Sequence, residues 1–363
     1  MKKILVSVMV ICFALSNTDV FAVQKNKSVK PIASKAISKD PYIGAIVIDA
    51  ATGNVLFEDN ADTKGHPASI IKLMTLLIVL ESLKAKTIAL EDKVITTAEA
   101  SKIGGSQVYL KEKEVFSIED LLYALMIQSA NDAAVALAVH IAGSKNGFIE
   151  MMNKRAKEIG MKNTIINSVH GLPPGKGQKP DFSSPRDIAK LCFELVKHKE
   201  TLKYTSIQEK NFRAEPEKIF IMRNHNHLLH EFEGCDGLKT GYYLIAGYSI
   251  AATAQKNGLR TIAVVMGSQT RKMRDEKTKE LLSKGFVELT KIYGSKIISS
   301  AKNTGTSTDI SAGTNTSIET AAVENDTIQI SRKKIKIFAA SVIAIIILFL
   351  IASYRKKPKR YKF

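Results

Sequence analysis

An uncharged run of 18 residues, Ile337 to Tyr354, lies close to the end of the 363-residue chain. It is made largely of Ile, Ala, Leu and Phe. At about 1.5 Å per helical residue it reaches roughly 27 Å, the thickness of a bilayer core. Lys336 and Arg355 bracket it and can snorkel outward. Arg355, Lys356, Lys357, Lys359, Arg360 and Lys362 follow, and the positive-inside rule keeps such a tail cytoplasmic. The start of the chain has the matching pattern. Lys2 and Lys3 precede the apolar stretch Ile4 to Ser16, and Val20-Phe21-Ala22 supplies small residues where a signal peptidase cuts. The sequence therefore predicts an exported protein held by one C-terminal helix, with its folded part outside the cytoplasmic membrane.

That reading changes the meaning of the charge. The formal net charge of +18 invites a nucleic-acid partner. Residues 332–363 carry ten Lys/Arg and no acid, and residues 1–22 add +1. Only +7 remains for residues 23–331, so a nucleic-acid function loses its main support. Three cysteines are too few for a disulfide scaffold, and Cys12 leaves with the signal.

Six segments are expected: a signal peptide (1–22), a tether (23–40), a catalytic domain (41–294), a Thr/Ser-rich stalk (295–334), a transmembrane helix (335–354) and a basic tail (355–363). The stretch 302–330 has too few large apolar side chains to bury a core. Within the domain the pattern mixes helix and strand. Ala45–Asp49 and Val55–Glu58 flank the hairpin signal Ala51-Thr52-Gly53-Asn54. Helices are expected over Ile70–Leu83, after Ser117 with Asp120 as a capping partner, over Asn131–Ile141, and after Ser184-Pro185. Leu238–Thr240, Tyr248–Ala254 and Arg260–Met266 read as strands, and Met273–Ile292 as a closing helix.

Ser69 opens the apolar helix and Lys72 stands three residues later, on the same face. A helix N-terminus favours developing negative charge, and a desolvated amine can take the hydroxyl proton. Alone the spacing means little, since Ser299/Lys302 and Ser331/Lys334 repeat it. Only the first opens an apolar helix and is followed by Ser129-Ala130-Asn131 and then Lys239-Thr240-Gly241. S-x-x-K, S-x-N and K-T-G in that order mark penicillin-interacting enzymes.

With these motifs, residues 41–289 resemble the serine D-Ala-D-Ala carboxypeptidases, the low-molecular-mass penicillin-binding proteins of the peptidase S11 type. Further runs fit: Gly104-Gly105-Ser106-Gln107, Asp120-Leu121-Leu122, Asn131-Asp132-Ala133, His170-Gly171-Leu172, Arg223-Asn224, Asp236-Gly237-Leu238 and Ala246-Gly247-Tyr248. The resemblance implies an α/β (α+β) fold of the serine β-lactamase type: an antiparallel sheet flanked by helices, plus a mainly helical subdomain. It implies that Ser69 attacks the carbonyl between two D-alanines of a peptidoglycan stem peptide. Lys72 would be the base. Ser129 with Lys239 would pass a proton to the leaving D-alanine, and Asn131 would hold the substrate amide. The backbone N–H groups of Ser69 and Tyr242 would form the oxyanion hole, beside Gly241. Thr240, Lys239 and Arg274 would take the terminal carboxylate. Penicillins would be inhibitors, and no cofactor is implied.

The alternatives are a DD-endopeptidase cutting cross-links, a non-catalytic penicillin-binding sensor, and a class A β-lactamase. The last needs a Glu-x-x-x-Asn for the deacylating water, and Glu158 and Asn163 are spaced wrongly for it. His225, His227 and His230 hint at zinc, but no compact ligand set accompanies them. Cys192 and Cys235 either pair or remain buried thiols. Many relatives carry a small β-rich domain after the catalytic one, and here a Thr/Ser stalk stands in that place.

Overall fold

Continuous apolar runs joined by tight turns build a central sheet. In the computed structural model the described residues are 42–213 and 220–303. The expected signal, tether, transmembrane helix and tail lie outside them, as does most of the stalk. Among the described residues no helix is long and apolar enough to cross a membrane.

The hairpin β1 (Gly44–Asp49) and β2 (Val55–Asp59) turns where 51–54 predicts. Late in the chain β7 (Cys235–Tyr243), β8 (Gly247–Lys256) and β9 (Leu259–Ser268) form a meander. The sheet order is β2-β1-β9-β8-β7, antiparallel throughout, which leaves β7 on an edge. Both faces are buried. Ile46, Ile48, Ile262, Val264 and Met266 point into one core, while Ala45, Val47, Ala263 and Val265 point into the other. Successive side chains on a strand face opposite ways. These strands therefore read as continuous apolar runs rather than apolar/polar alternations.

The first core is capped by helices. A 3₁₀ turn, Ala68–Ile71, leads into α1 (Lys72–Lys84), whose residues 72–80 are all buried. A helix apolar on every side belongs in an interior. Two short elements follow, β3 (Lys93–Ile95) and α2 (Ala98–Lys102), and β3 pairs with β4 (Val115–Ser117). Next come α3 (Ile118–Ile127), α4 (Asn131–Ala142) and α5 (Lys145–Glu158). Ser117 and Asp120 form the expected capping box, with Ser117 Oγ accepting from Asp120 N at 3.0 Å. Such a cap contributes about 1 kcal/mol. Ser184 caps α6 (Pro185–Val196), which has proline in its first turn. The short α7 (Glu200–Thr205), the pair β5 (Glu209–Phe212) and β6 (Phe220–Arg223), and α8 (Leu228–Glu231) lead to β7.

The second core is covered by α9, which brings Leu281 and Leu282 against Val47 and Ile250. Here the structure corrects the sequence expectation. The helix runs Arg271–Asn303 instead of ending at Ile292, so the expected domain boundary at 294/295 falls inside it. The stretch 295–303, Ser-Lys-Ile-Ile-Ser-Ser-Ala-Lys-Asn, holds no proline or glycine to stop a helix.

Candidate active site

Ser69 sits in the 3₁₀ turn between edge strand β7 and the buried helix α1. Two glycines let the chain crowd this turn. A Cβ on Gly241 would lie 2.6 Å from the Pro67 carbonyl oxygen and 3.1 Å from the Ser69 nitrogen. A Cβ on Gly171 would lie 2.0 Å from the Ala68 carbonyl oxygen, and Gly171 also has φ +79°. Only glycine fits such approaches without moving backbone.

The α1 start puts Lys72 directly under Ser69. Its Nζ lies 3.1 Å from Ser69 Oγ, 2.7 Å from Asn131 Oδ1 and 2.6 Å from the His170 carbonyl oxygen. The side chain is fully buried. Burial and the neighbouring Lys239 push its pKa well below the ordinary lysine value, against the pull of Asp181 and Asp132. A neutral amine has two N–H bonds and one lone pair. The two short contacts suit the N–H bonds, and the longer one leaves the lone pair facing the Ser69 hydroxyl.

Asn131 begins α4. Its amide bridges Lys72 and the Gly104 carbonyl, with Nδ2 donating at 2.7 Å, and its backbone N–H donates to Ser106 O. It does not cap the helix with its side chain; Ala130 occupies the cap position. Asp132 next to it accepts from Val108 N, Leu110 N and Ala133 N, tying the 104–110 loop to α4. Ser129 stands just before, in left-handed backbone with φ +60°. Its buried Oγ has no hydrogen-bond partner among the described residues. A buried hydroxyl left open in this way is costly, and such groups gather where a ligand supplies the partner.

Lys239, Thr240 and Gly241 come from edge strand β7. Lys239 is buried, donates to Thr240 O at 3.0 Å, and is held down to about 7 by burial and by Arg274. Arg274, in the first turn of α9, is also buried. Its Nε donates to Asp275 Oδ1 at 2.7 Å, and Nη2 forms an ion pair with the same oxygen at 2.6 Å. Thr240, Gly241, exposed Tyr242 and Arg274 line one cleft with Ser69, Ser129 and Asn131. Its volume is about 710 Å³. Tyr242 stacks on Tyr248 with ring centroids 4.1 Å apart. All nine residues picked out by motif thus converge on one place.

His225, His227 and His230 line the same cleft, yet among the described residues no cluster of His, Cys, Asp or Glu is arranged to hold a metal. His225 is pushed down to about 4 by burial and nearby cations, so it is neutral at pH 7. Cys192 and Cys235 are free thiols. Asn163 does not line the cleft; its backbone N–H donates to Asp187 Oδ2. Sequence reasoning missed the His170 carbonyl as a Lys72 partner, Asp181 near Lys72, and Arg213. The Arg213 guanidinium donates to the Val108 and Tyr109 carbonyls and so braces the loop above the cleft.

Comparison with known proteins gives the family and the fold. Residues 32–270 match the family described as D-alanyl-D-alanine carboxypeptidase. The chain is 36% identical over 286 residues to D-alanyl-D-alanine carboxypeptidase DacF of Bacillus subtilis, which covers 79% of this chain and 70% of that protein. It is 39% identical over 249 residues to DacC of Escherichia coli, covering 66% of this chain and 60% of that protein. Among solved structures, penicillin-binding protein D2 of Listeria monocytogenes in its ampicillin-bound form matches with a TM-score of 0.61 and 32% identity. That match covers 68% of this chain and 97% of the other. Penicillin-binding protein 6B of Escherichia coli matches with a TM-score of 0.63 and 33% identity, covering 67% and 77%.

Proposed function

The chain belongs to the D-alanyl-D-alanine carboxypeptidase family, peptidase S11, and from that premise we propose that it removes the terminal D-alanine from peptidoglycan stem pentapeptides through an acyl-enzyme on Ser69. The observation that carries this reading is the buried Lys72 amine, 3.1 Å from Ser69 Oγ and held from behind by Asn131 and the His170 carbonyl.

The steps follow from the residues. Ser69 Oγ bonds to the carbonyl carbon between the two D-alanines while its proton passes to Lys72 Nζ. The oxygen of that carbonyl takes up negative charge beside the Ser69 and Tyr242 backbone N–H groups. The C–N bond then breaks. The leaving amine takes a proton through Ser129, whose open hydroxyl belongs to the cleft lining together with Ser69 and Asn131. Water hydrolyses the ester, releasing the shortened stem and restoring Ser69. The substrate's terminal carboxylate suits Thr240 and the cations Lys239 and Arg274, the last already sharing its charge with Asp275. A β-lactam offers a carbonyl and a carboxylate in the same relation, so we expect it to acylate Ser69 as well.

The test has two arms. Purified full chain is incubated with a stem pentapeptide and with a cross-linked dimer, and products are followed by mass. Release of D-alanine from the pentapeptide, faster than dimer cleavage, is expected; the reverse order makes it an endopeptidase. Fluorescent penicillin should label the wild type and not a folded Ser69→Ala variant. The apolar runs at 4–16 and 337–354 support a location at the outer face of the cytoplasmic membrane. Membrane pellets that lose the protein on alkaline carbonate extraction would count against it.

A further inference from the structure

The segment between Ile165 and Phe182 closes on itself: each of these two residues donates its N–H to the other's carbonyl at 2.9 Å. Asp181 stands at the base of this loop and is buried. Its Oδ1 accepts from Asn167 N at 2.6 Å and Ser168 N at 2.9 Å, and its Oδ2 from Ser168 Oγ at 2.6 Å. Ser168 Oγ in turn accepts from Gly171 N at 2.8 Å. Between Ser168 and Gly171 lies His170, whose carbonyl takes Lys72 Nζ. Gly171 itself packs against the Ala68 carbonyl, one residue before Ser69. A short chain of hydrogen bonds therefore runs from a buried carboxylate to the acceptor behind the reacting amine. Asp181 does not line the cleft.

We infer that Asp181 is a positioning residue for the acylation chemistry: it fixes the 167–171 turn so that the His170 carbonyl holds Lys72 Nζ against Ser69. This rests on Ser69 and Lys72 being nucleophile and base.

The surrounding charges define what Asp181 contributes. Lys72 faces Lys239 from β7, Asp132 from α4, and Asp181 and His170 from the loop, and its charge reaches His225. His170 is pushed down to about 3 and His225 to about 4, so both are neutral where the enzyme works. Asp181 faces Lys72, Tyr243 of β7, and His66, whose Nδ1 lies 2.9 Å from the Asp181 carbonyl oxygen. Burial raises the Asp181 carboxyl, while its three donors and Lys72 pull it back toward the ionised form. A carboxylate near an ammonium favours the protonated amine. Losing it makes Lys72 shed its proton at lower pH.

The test measures the second-order rate constant for acylation of the full chain by fluorescent penicillin, from about pH 5 to about pH 9. Wild type, Asp181→Asn and Ser168→Ala are compared. Asp181→Asn keeps the shape and removes the charge; Ser168→Ala cuts the link to Gly171 and leaves Asp181 its two backbone donors. For Asp181→Asn the acid limb should move down by about half a pH unit or more, which on that limb is roughly a threefold gain relative to its own plateau. For Ser168→Ala the plateau should fall at least about fivefold. An Asp181→Asn limb at the wild-type pH overturns the charge role, and a wild-type plateau in Ser168→Ala overturns the positioning role. If Asp181→Asn does not fold by circular dichroism, the Ser168→Ala plateau decides. Labelling that persists in Ser69→Ala overturns the parent reading instead, and is seen in a different variant.

Discussion

Gly241 tests the site where strand and nucleophile turn meet. In Gly241→Ala the added methyl carbon would stand 2.6 Å from the Pro67 carbonyl oxygen and 3.1 Å from both the Ser69 and Ile70 nitrogens. All three are backbone atoms, so no side chain can swing away. Ordinary carbon–oxygen contact needs about 0.6 Å more, and that distance must come from moving β7 off the 3₁₀ turn. Overpacking of this kind costs about 1–3 kcal/mol of stability. The larger effect falls on chemistry. Misplacing reacting groups by about 1 Å costs about 10²-fold, so a shift of about 0.6 Å should slow acylation roughly 10- to 100-fold. Gly104→Ala is the control: a Cβ there meets nothing within 4 Å, although the Gly104 carbonyl holds Asn131. Stopped-flow acylation by fluorescent penicillin gives the rates, and thermal unfolding gives the stability. Acylation of Gly241→Ala at the Gly104→Ala rate would refute the reasoning.

Three further outcomes are expected. Lys239 is held near pKa 7 in the fold against about 10.4 when unfolded. The unfolded chain therefore binds the extra proton between these values, and wild-type stability from this group rises with pH. Lys239→Met should be more stable than wild type by up to about 4 kcal/mol at pH 7 and below, with the gain fading toward pH 10. Denaturant unfolding at several pH values checks this, and a gain that does not fade counts against it. Arg274→Gln should lower kcat/KM for a peptide with a free terminal carboxylate by roughly 10- to 100-fold, and much less for its C-terminal amide. Equal losses on both peptides would point to a purely structural role. Burial pushes the Cys235 thiol up to about 11 and Cys192 higher still. Native alkylation of Cys235 near pH 8 should be roughly 10²-fold slower than that of a free thiol, and both should react in denaturant without reductant. Resistance in denaturant would reveal a disulfide.

Much of this site is legible in the sequence because each member announces itself locally. Ser69 and Lys72 share a helix face, Asn131 follows a break between two helices, and Lys239 sits on an apolar strand ended by a turn. What brings them together is carried by atoms without residue identity. The His170 and Gly104 carbonyls hold Lys72 and Asn131, and any side chain could stand at those positions. Asp181 is equally silent, one carboxylate in a polar loop far from the motifs. The fold shows the same division. Long apolar runs such as α1 and β9 declare their period, whereas β3 to β6 have only three or four residues each. The end of α9 was hidden because nothing in 295–303 breaks a helix.

The two glycines flanking the nucleophile turn limit how this enzyme can change over generations. At Gly171 and Gly241 any heavier residue collides with main chain, so drift there meets immediate loss. Arg223 and Tyr242 on the cleft rim are exposed and can be exchanged without repacking a core. Under antibiotic selection, variants that survive should collect on that rim and spare the turn. The lineage can retune what it admits while the point of attack stays frozen.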